Sequence, residues 1–252
     1  MPEPIDLARQ LRHHLESLCA AGVLFVPRGE PLTLAPVSPT PVPAPAAVDP
    51  PPADPLAERR HELTILAAEI AKCDRCADMF STRTQTVFGV GPIDPDVAFV
   101  GEAPGADEDR LGEPFVGKAG QLLTRIITGS GFKREEVYIF NTLKCRPPGN
   151  RTPTPDECAN CRPFFEQQFD LVRPKFLVAL GGTAAKALMQ TDTGITKLRG
   201  RIYEYRGVPL ICTFHPSALL RDDSGNMKRD VWEDMKLLLR TMGRPIPEVK
   251  KG

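Results

Sequence analysis

Residues 97–105, Val97-Ala98-Phe99-Val100-Gly101-Glu102-Ala103-Pro104-Gly105, decide the architecture: a short continuous apolar run that stops on a glycine and a carboxylate. Three further segments repeat the design. Val137-Tyr138-Ile139-Phe140 runs into Asn141, Phe176-Leu177-Val178-Ala179-Leu180 into Gly181-Gly182-Thr183, and Pro209-Leu210-Ile211-Cys212-Thr213-Phe214 into His215-Pro216-Ser217. Continuous apolar runs alternating with helix-like stretches predict parallel strands buried on both faces and joined by crossover helices, an α/β fold. Sheets of this kind bind ligands beyond the carboxyl ends of their strands. A carboxylate (Glu102), an amide (Asn141) and an imidazole (His215) are therefore expected on one rim.

Helix boundaries can be read around these runs. A helix is expected from about Leu56 to Ala71, followed by an irregular stretch from Cys73 to Val90. Gly117-Lys118-Ala119-Gly120 opens a helix that glycines end near Gly129. Thr154-Pro155-Asp156-Glu157 combines a capping hydroxyl, proline at the first helical position and two acids against the positive end of the dipole. Further helices are expected over Ala184 to Met189 and Met227 to Leu239.

The 252 residues, 41% of them hydrophobic, suffice for one domain of ordinary size plus a tail. Residues 27–55 shift to proline, alanine and short polar residues, which excludes helix and central strand and predicts an extended, disordered linker. Before it, within residues 1–26, Ile5, Leu7, Leu11, Leu15 and Leu18 recur at helical spacing. That short amphipathic helix either packs on the main domain or docks on a protein partner. The main domain is expected over 56–241, with a tail at 242–252. No run reaches transmembrane length and the acidic start lacks a secretory signal, so a cytoplasmic chain without membrane contact is expected. Its seven cysteines should then be thiols or metal ligands. Net charge is zero, which lends no support to nucleic-acid binding by the chain as a whole.

Four strings in order, GEAPGADED (Gly101 to Asp109), EPFVGKAGQLL (Glu113 to Leu123), NTLKCRPPGNRTPTPDE (Asn141 to Glu157) and FHPSALLR (Phe214 to Arg221), follow Cys73-x-x-Cys76. The combination resembles the family 4 uracil-DNA glycosylases from about Leu56 to Arg240. It implies a three-layer α/β/α fold around a central four-stranded parallel sheet. It further implies a monofunctional hydrolase that flips uracil out of DNA and cleaves its glycosidic bond, beginning base-excision repair as a monomer at the nucleoid.

Such chemistry needs a donor where negative charge develops on the departing uracil O2. His215, at a strand end and fixed by Pro216, is the candidate; a neutral imidazole suffices. Asn141 is the candidate reader, because one carboxamide offers an acceptor for uracil N3–H and a donor for O4, while cytosine reverses both. The resemblance implies that Phe115 stacks on the base and that Glu108 stands near C5 to exclude thymine. Glu102 either orients water and steadies the sugar cation or caps the Pro104-Gly105 turn. Backbone amides of Ala103 and Gly105 are candidates for O2 or the water. Candidate DNA contacts are Lys118, Lys197, Arg199, Arg201, Ser217 and Arg221, with Leu219 and Leu220 as an apolar wedge.

The cysteines leave two metals open. Cys73-x-x-Cys76 and Cys158-x-x-Cys161 suggest zinc, but 81 intervening residues far exceed the roughly 15–20 of a zinc ribbon. The resemblance instead implies a structural [4Fe–4S] cluster on Cys73, Cys76, Cys145 and Cys161, with Cys158 spare; four thiolates can hold either. Two other functions stay in view. One is a covalent crosslinker to uracil-DNA, although residues 145–155 lack the histidine-bearing insertion that such relatives carry. The other is a non-catalytic iron–sulfur DNA-binding protein.

Overall fold

The computed structural model describes residues 7–23, 25, 29 and 54–248, in two units, Met1–Pro50 and Pro51–Gly252. In the first unit α1 spans Leu7–Ala20, with Leu11 and Leu15 exposed. Ile5, most of the proposed linker and the last four residues lie outside the described residues. Among the described residues no helix is long and apolar enough to cross a membrane.

The described residues of the second unit begin at Asp54, whose carboxylate accepts from the Leu56 amide while Pro55 takes the first helical position of α2 (Pro55–Ala71). This pairing starts a helix well because it satisfies one orphan donor and removes another. A short α3 (Ala77–Thr82) follows within the stretch read as irregular.

Five strands form the sheet: β1 (Val97–Gly101), β2 (Tyr138–Asn141), β3 (Phe176–Leu180), β4 (Ile202–Tyr205) and β5 (Val208–Thr213), in the order β2-β1-β3-β5-β4. The four apolar runs are β1, β2, β3 and β5, all parallel. The expectation of four strands needs one correction, since β4 adds an antiparallel edge through a tight turn at Arg206 (φ +50) and Gly207 (φ +83). It escaped the sequence reading because an edge strand is half exposed: Ile202 and Glu204 face solvent and only Tyr205 is buried.

Side-chain alternation divides the core into two layers. Val97, Phe99, Ile139, Val178 and Ile211 pack under α5 (Lys118–Gly129) and α10 (Asn226–Thr241). Ala98, Val100, Phe140, Ala179 and Cys212 pack under α6 (Pro155–Val172) and α7 (Gly182–Met189). The three-layer arrangement is therefore as the sequence implied. α6 begins on Thr154, whose hydroxyl accepts from the Glu157 amide while Glu157 accepts from the Thr154 amide. Three short helices, α4 (Ala106–Leu111), α8 (Ile195–Leu198) and α9 (Pro216–Leu219), lie in the rim loops.

One buried carboxylate ties α10 to the rim. Asp234, fully buried on α10, accepts from Thr213 Oγ1 at 2.7 Å, the Gly200 amide at 3.0 Å and Arg199 Nε at 3.1 Å. Burial pushes this carboxyl's pKa up and these partners oppose the shift. Replacing Asp234 with Ala leaves a largely buried guanidinium and a hydroxyl without their acceptor, which should cost about 3 kcal/mol. Urea denaturation should show the midpoint falling at unchanged slope; a midpoint at the parent value would discount the network.

Candidate active site

The parallel register sets Gly101 of β1 beside Asn141 of β2. A Cβ on Gly101 would stand 2.2 Å from Asn141 Oδ1 and 2.6 Å from Phe115 Cζ, so only glycine admits both groups. Asn141 is 2% exposed, and its Oδ1 is a buried acceptor with no partner in the protein. Its backbone carbonyl accepts from the fully buried Lys144 ammonium at 2.8 Å. The backbone of the amide is thus fixed while its side-chain oxygen is left for a ligand. A buried acceptor without a donor costs about 1–3 kcal/mol, which a bound N–H would recover.

Opposite the amide, Phe115 forms an aromatic wall, 5.6 Å from the His215 ring between centroids. The Glu108 carboxylate accepts from the amides of Gly105 (3.2 Å), Val116 (2.9 Å) and Gly117 (3.0 Å). Glu108 therefore caps the turn that the sequence reading offered to Glu102, and both of its oxygens are occupied. The Gly105 amide is engaged, whereas the Ala103 amide has no hydrogen-bond partner among the described residues. Glu102 lines the cavity, and its carbonyl accepts from Thr142 Oγ1 and the Leu143 amide.

His215 caps α9. Its Nδ1 accepts from the Ser217 amide at 3.1 Å and lies 2.8 Å from the Ser217 hydroxyl. A backbone amide can only donate, so Nδ1 is unprotonated and the ring proton sits on Nε2. Burial, reinforced by the nearby Arg221 cation, lowers the pKa of His215 to about 4. At neutral pH the ring is uncharged and has one donor. Gly181 (φ +91) makes room for it, because a Cβ there would stand 2.9 Å from His215 Cβ.

These groups line a cavity of about 500 Å³ at the carboxyl rim. It brings together Glu102, Ala103, Gly105, Glu108, Phe115, Asn141, Ser217, His215 and Arg221 of the residues singled out in the sequence. It adds Ala119, Gly181, Gly182 and Arg151, which sequence reading missed as site residues; the Gly-Gly pair was the available signal. A larger hollow of about 620 Å³ between α6 and α7, lined by Thr142, Arg162 and Tyr205 among others, carries none of the charged or amide groups at the strand ends. Three residues lie elsewhere or are otherwise engaged. Arg199 is spent on Asp234 and Asp230, Leu219 is 2% exposed within the core, and Ser217 orients the imidazole. Lys118, Leu220 and Arg221 are exposed. A planar polar ring with an N–H on one edge and an oxygen within reach of His215 fits this arrangement.

Cys73, Cys76, Cys145 and Cys161 line a second, small pocket of about 20 Å³, while Cys158 faces the hollow between α6 and α7. All are free thiols. Three of the four sulfurs already receive N–H groups: Cys145 from Arg83 Nη1 (3.0 Å), Cys161 from the Lys144 amide (3.3 Å) and Cys76 from Asn160 Nδ2 (3.6 Å). Burial pushes the Cys161 thiol up to about 11. Only a bound cationic group would make such a thiol a thiolate at neutral pH. Among the described residues no group of three or more His, Cys, Asp and Glu side chains is disposed to hold a single metal ion.

The sequence pattern of the Uracil DNA glycosylase superfamily matches residues 88–236. A type-4 uracil-DNA glycosylase of Thermotoga maritima is 44% identical over 180 residues, covering 71% of this chain and 93% of that protein. One from Archaeoglobus fulgidus is 44% identical over 168 residues, covering 64% and 84% respectively. With its sheet order, its rim groups and these similarities taken together, the chain belongs to the uracil DNA glycosylase superfamily and, within it, to the type-4 uracil-DNA glycosylases.

Proposed function

We propose that this protein hydrolyses the N-glycosidic bond of deoxyuridine in DNA, with the flipped base held in the rim cavity. The observation that carries the reading is the orphaned Asn141 Oδ1. Uracil N3–H supplies the missing donor and Nδ2 meets O4, whereas cytosine presents an acceptor and a donor in the wrong places. Phe115 stacks on the ring. His215 Nε2–H faces O2 and strengthens its hydrogen bond as the glycosidic bond lengthens and charge collects there. The neutral ring donates without a proton having to be moved. Glu102 orients water or steadies the sugar cation. Glu108, held by three amides at the cavity lining, shapes the loop and is placed near C5 to exclude the methyl group of thymine in this reading.

DNA contacts fall to Lys118 and Arg221, with Leu220, 48% exposed, as the wedge. We further assign the four-cysteine pocket to a [4Fe–4S] cluster. Four cysteines lining one pocket, three of their sulfurs receiving N–H groups and none of them in a group disposed to hold a single metal ion among the described residues, support this reading. When bound, the cluster supplies a tie among the α2–α3 junction, the loop after β2 and α6, not a step of the hydrolysis. The helix α1 (Leu7–Ala20) we read as a docking element for a protein partner.

Incubation with a uracil-containing oligonucleotide followed by alkali should give strand scission; an intact strand with a gel-shifted adduct, or neither, would favour the crosslinker or the binder. Replacing His215 with Ala should lower the single-turnover rate by roughly 10²-fold or more with little change in DNA affinity. Asn141→Asp should shift preference away from uracil, since a carboxylate cannot donate to O4.

The pH dependence has a definite sign. Below its ordinary value of 6.5 the unfolded histidine takes up a proton that folded His215 refuses until about pH 4. Stability linked to His215 is therefore full above pH 6.5 and declines as pH falls to about 4. Its donor form should persist throughout, and a rate profile whose inflection near 6.5 disappears in the His215→Ala variant would contradict this.

Protein purified without oxygen should be brown. Alanine at Cys73, Cys76, Cys145 or Cys161 should bleach it, and Cys158→Ala should not. Stoichiometric zinc in a colourless protein would reverse the assignment. Deleting residues 1–53, which spares the Asp54 cap, should leave excision from short oligonucleotides near the full-length rate; a large loss would show that the extension belongs to the catalytic unit.

A further inference from the structure

Phe115 sits at φ +55, a left-handed conformation that costs a residue with a side chain about 1 kcal/mol or more. Something has to hold it there. The guanidinium of Arg134, from the 3₁₀ turn Arg134–Glu136 that precedes β2, reaches across to this turn. Its Nη2 donates to the carbonyls of both Pro114 (2.8 Å) and Phe115 (3.1 Å), and its Nη1 to Thr124 Oγ1 (3.1 Å). One nitrogen can reach two successive carbonyls only if they point the same way, as a left-handed residue makes them do. The amides that follow, Val116 and Gly117, are gripped by Glu108. The turn is thus held through its carbonyls by a cation and through its N–H groups by a carboxylate. Gly120 completes the seat, since a Cβ there would lie 1.8 Å from the Phe115 carbonyl oxygen.

Arg134 itself is half-buried, and Glu113 and Glu108 act on it only through space. A guanidinium withdrawn from water and donating to neutral acceptors is a costly way to stabilise a fold. It makes sense where one side chain must be aimed. We propose that Arg134 is a positioning residue for base stacking: it fixes the Pro114–Phe115 turn so that the Phe115 ring stands as the cavity wall facing Asn141 and His215. The inference rests on the reading of Phe115 as the stacking residue.

A double-mutant cycle between Arg134→Met and Phe115→Leu separates aim from bulk stability. Single-turnover excision and inhibition by free uracil are measured for both single variants, the pair and Arg134→Lys. Arg134→Met should slow excision roughly tenfold or more and weaken uracil inhibition, in keeping with the sensitivity of reactions to small misplacements. In the Phe115→Leu background it should cost less than about twofold, because nothing is left to aim. Arg134→Lys, which keeps a cation without the planar fork, should recover part of the loss. Should Arg134→Met fail to fold, Arg134→Lys carries the same cycle. Full multiplicative losses in the two backgrounds, or a folded Arg134→Met with the parent rate beside a damaged Phe115→Leu, would overturn the positioning role alone. Phe115→Leu at the parent rate would overturn the stacking reading and this inference with it.

Discussion

The missing side chain at position 101 is the constraint on which the site depends. Parallel pairing puts Gly101 level with Asn141, and strand neighbours about 4.8 Å apart leave room for one large group between them. Without a Cβ, that room goes to the carboxamide on one side and the Phe115 ring on the other. Gly181 does the same for His215 one strand further on. The apolar body of the sheet fixes these spacings rigidly, because its strands are buried on both faces and close-packed. Precision at the rim is inherited from the core.

Around this frame the electrostatics are mostly neutral. The imidazole is kept uncharged by burial, the amide oxygen is left unpaired, and the buried carboxylate Asp234 is spent holding Arg199 and the end of β5. Arg151 likewise grips Glu157 in a two-pronged pair at the cavity edge, and this is the main reason that carboxyl's pKa is held down to about 2. Charges near the cavity thus serve largely to hold backbone, while recognition falls to directional neutral groups. A zero net charge across the chain is compatible with a DNA-acting enzyme once specificity is carried by such groups and affinity by a few rim cations.

Much of this was legible in the sequence, for identifiable reasons. The strands β1, β2, β3 and β5 announced themselves because doubly buried parallel strands are continuous apolar runs, and each run ends on the residue that the site uses. Helix α6 was equally plain from its cap. What stayed hidden was whether a polar group is already engaged. Arg199 and Ser217 looked like free phosphate ligands and are committed inside the protein, and Leu219 looked like a wedge and is core. Arg134, in a charged surface-like Lys-Arg-Glu-Glu string, gave no sign of the turn it clamps 19 residues earlier. Sequence periodicity reports burial of elements; partner choice is set by loops meeting in three dimensions.

Strand β2 ends on Asn141, the proposed base reader, and the loop after it carries a cysteine of the second pocket at its fourth residue. Two chemically unrelated tasks share one short piece of backbone, with Lys144 between them fastened to both. With the proposed [4Fe–4S] cluster in that pocket, the proposed base reading would follow the cell's supply of iron and sulfide. A shortage of either, or an oxidant that strips the pocket, would lower repair capacity while the polypeptide itself was still abundant, so protein level alone would overstate how well the genome is being cleared of uracil.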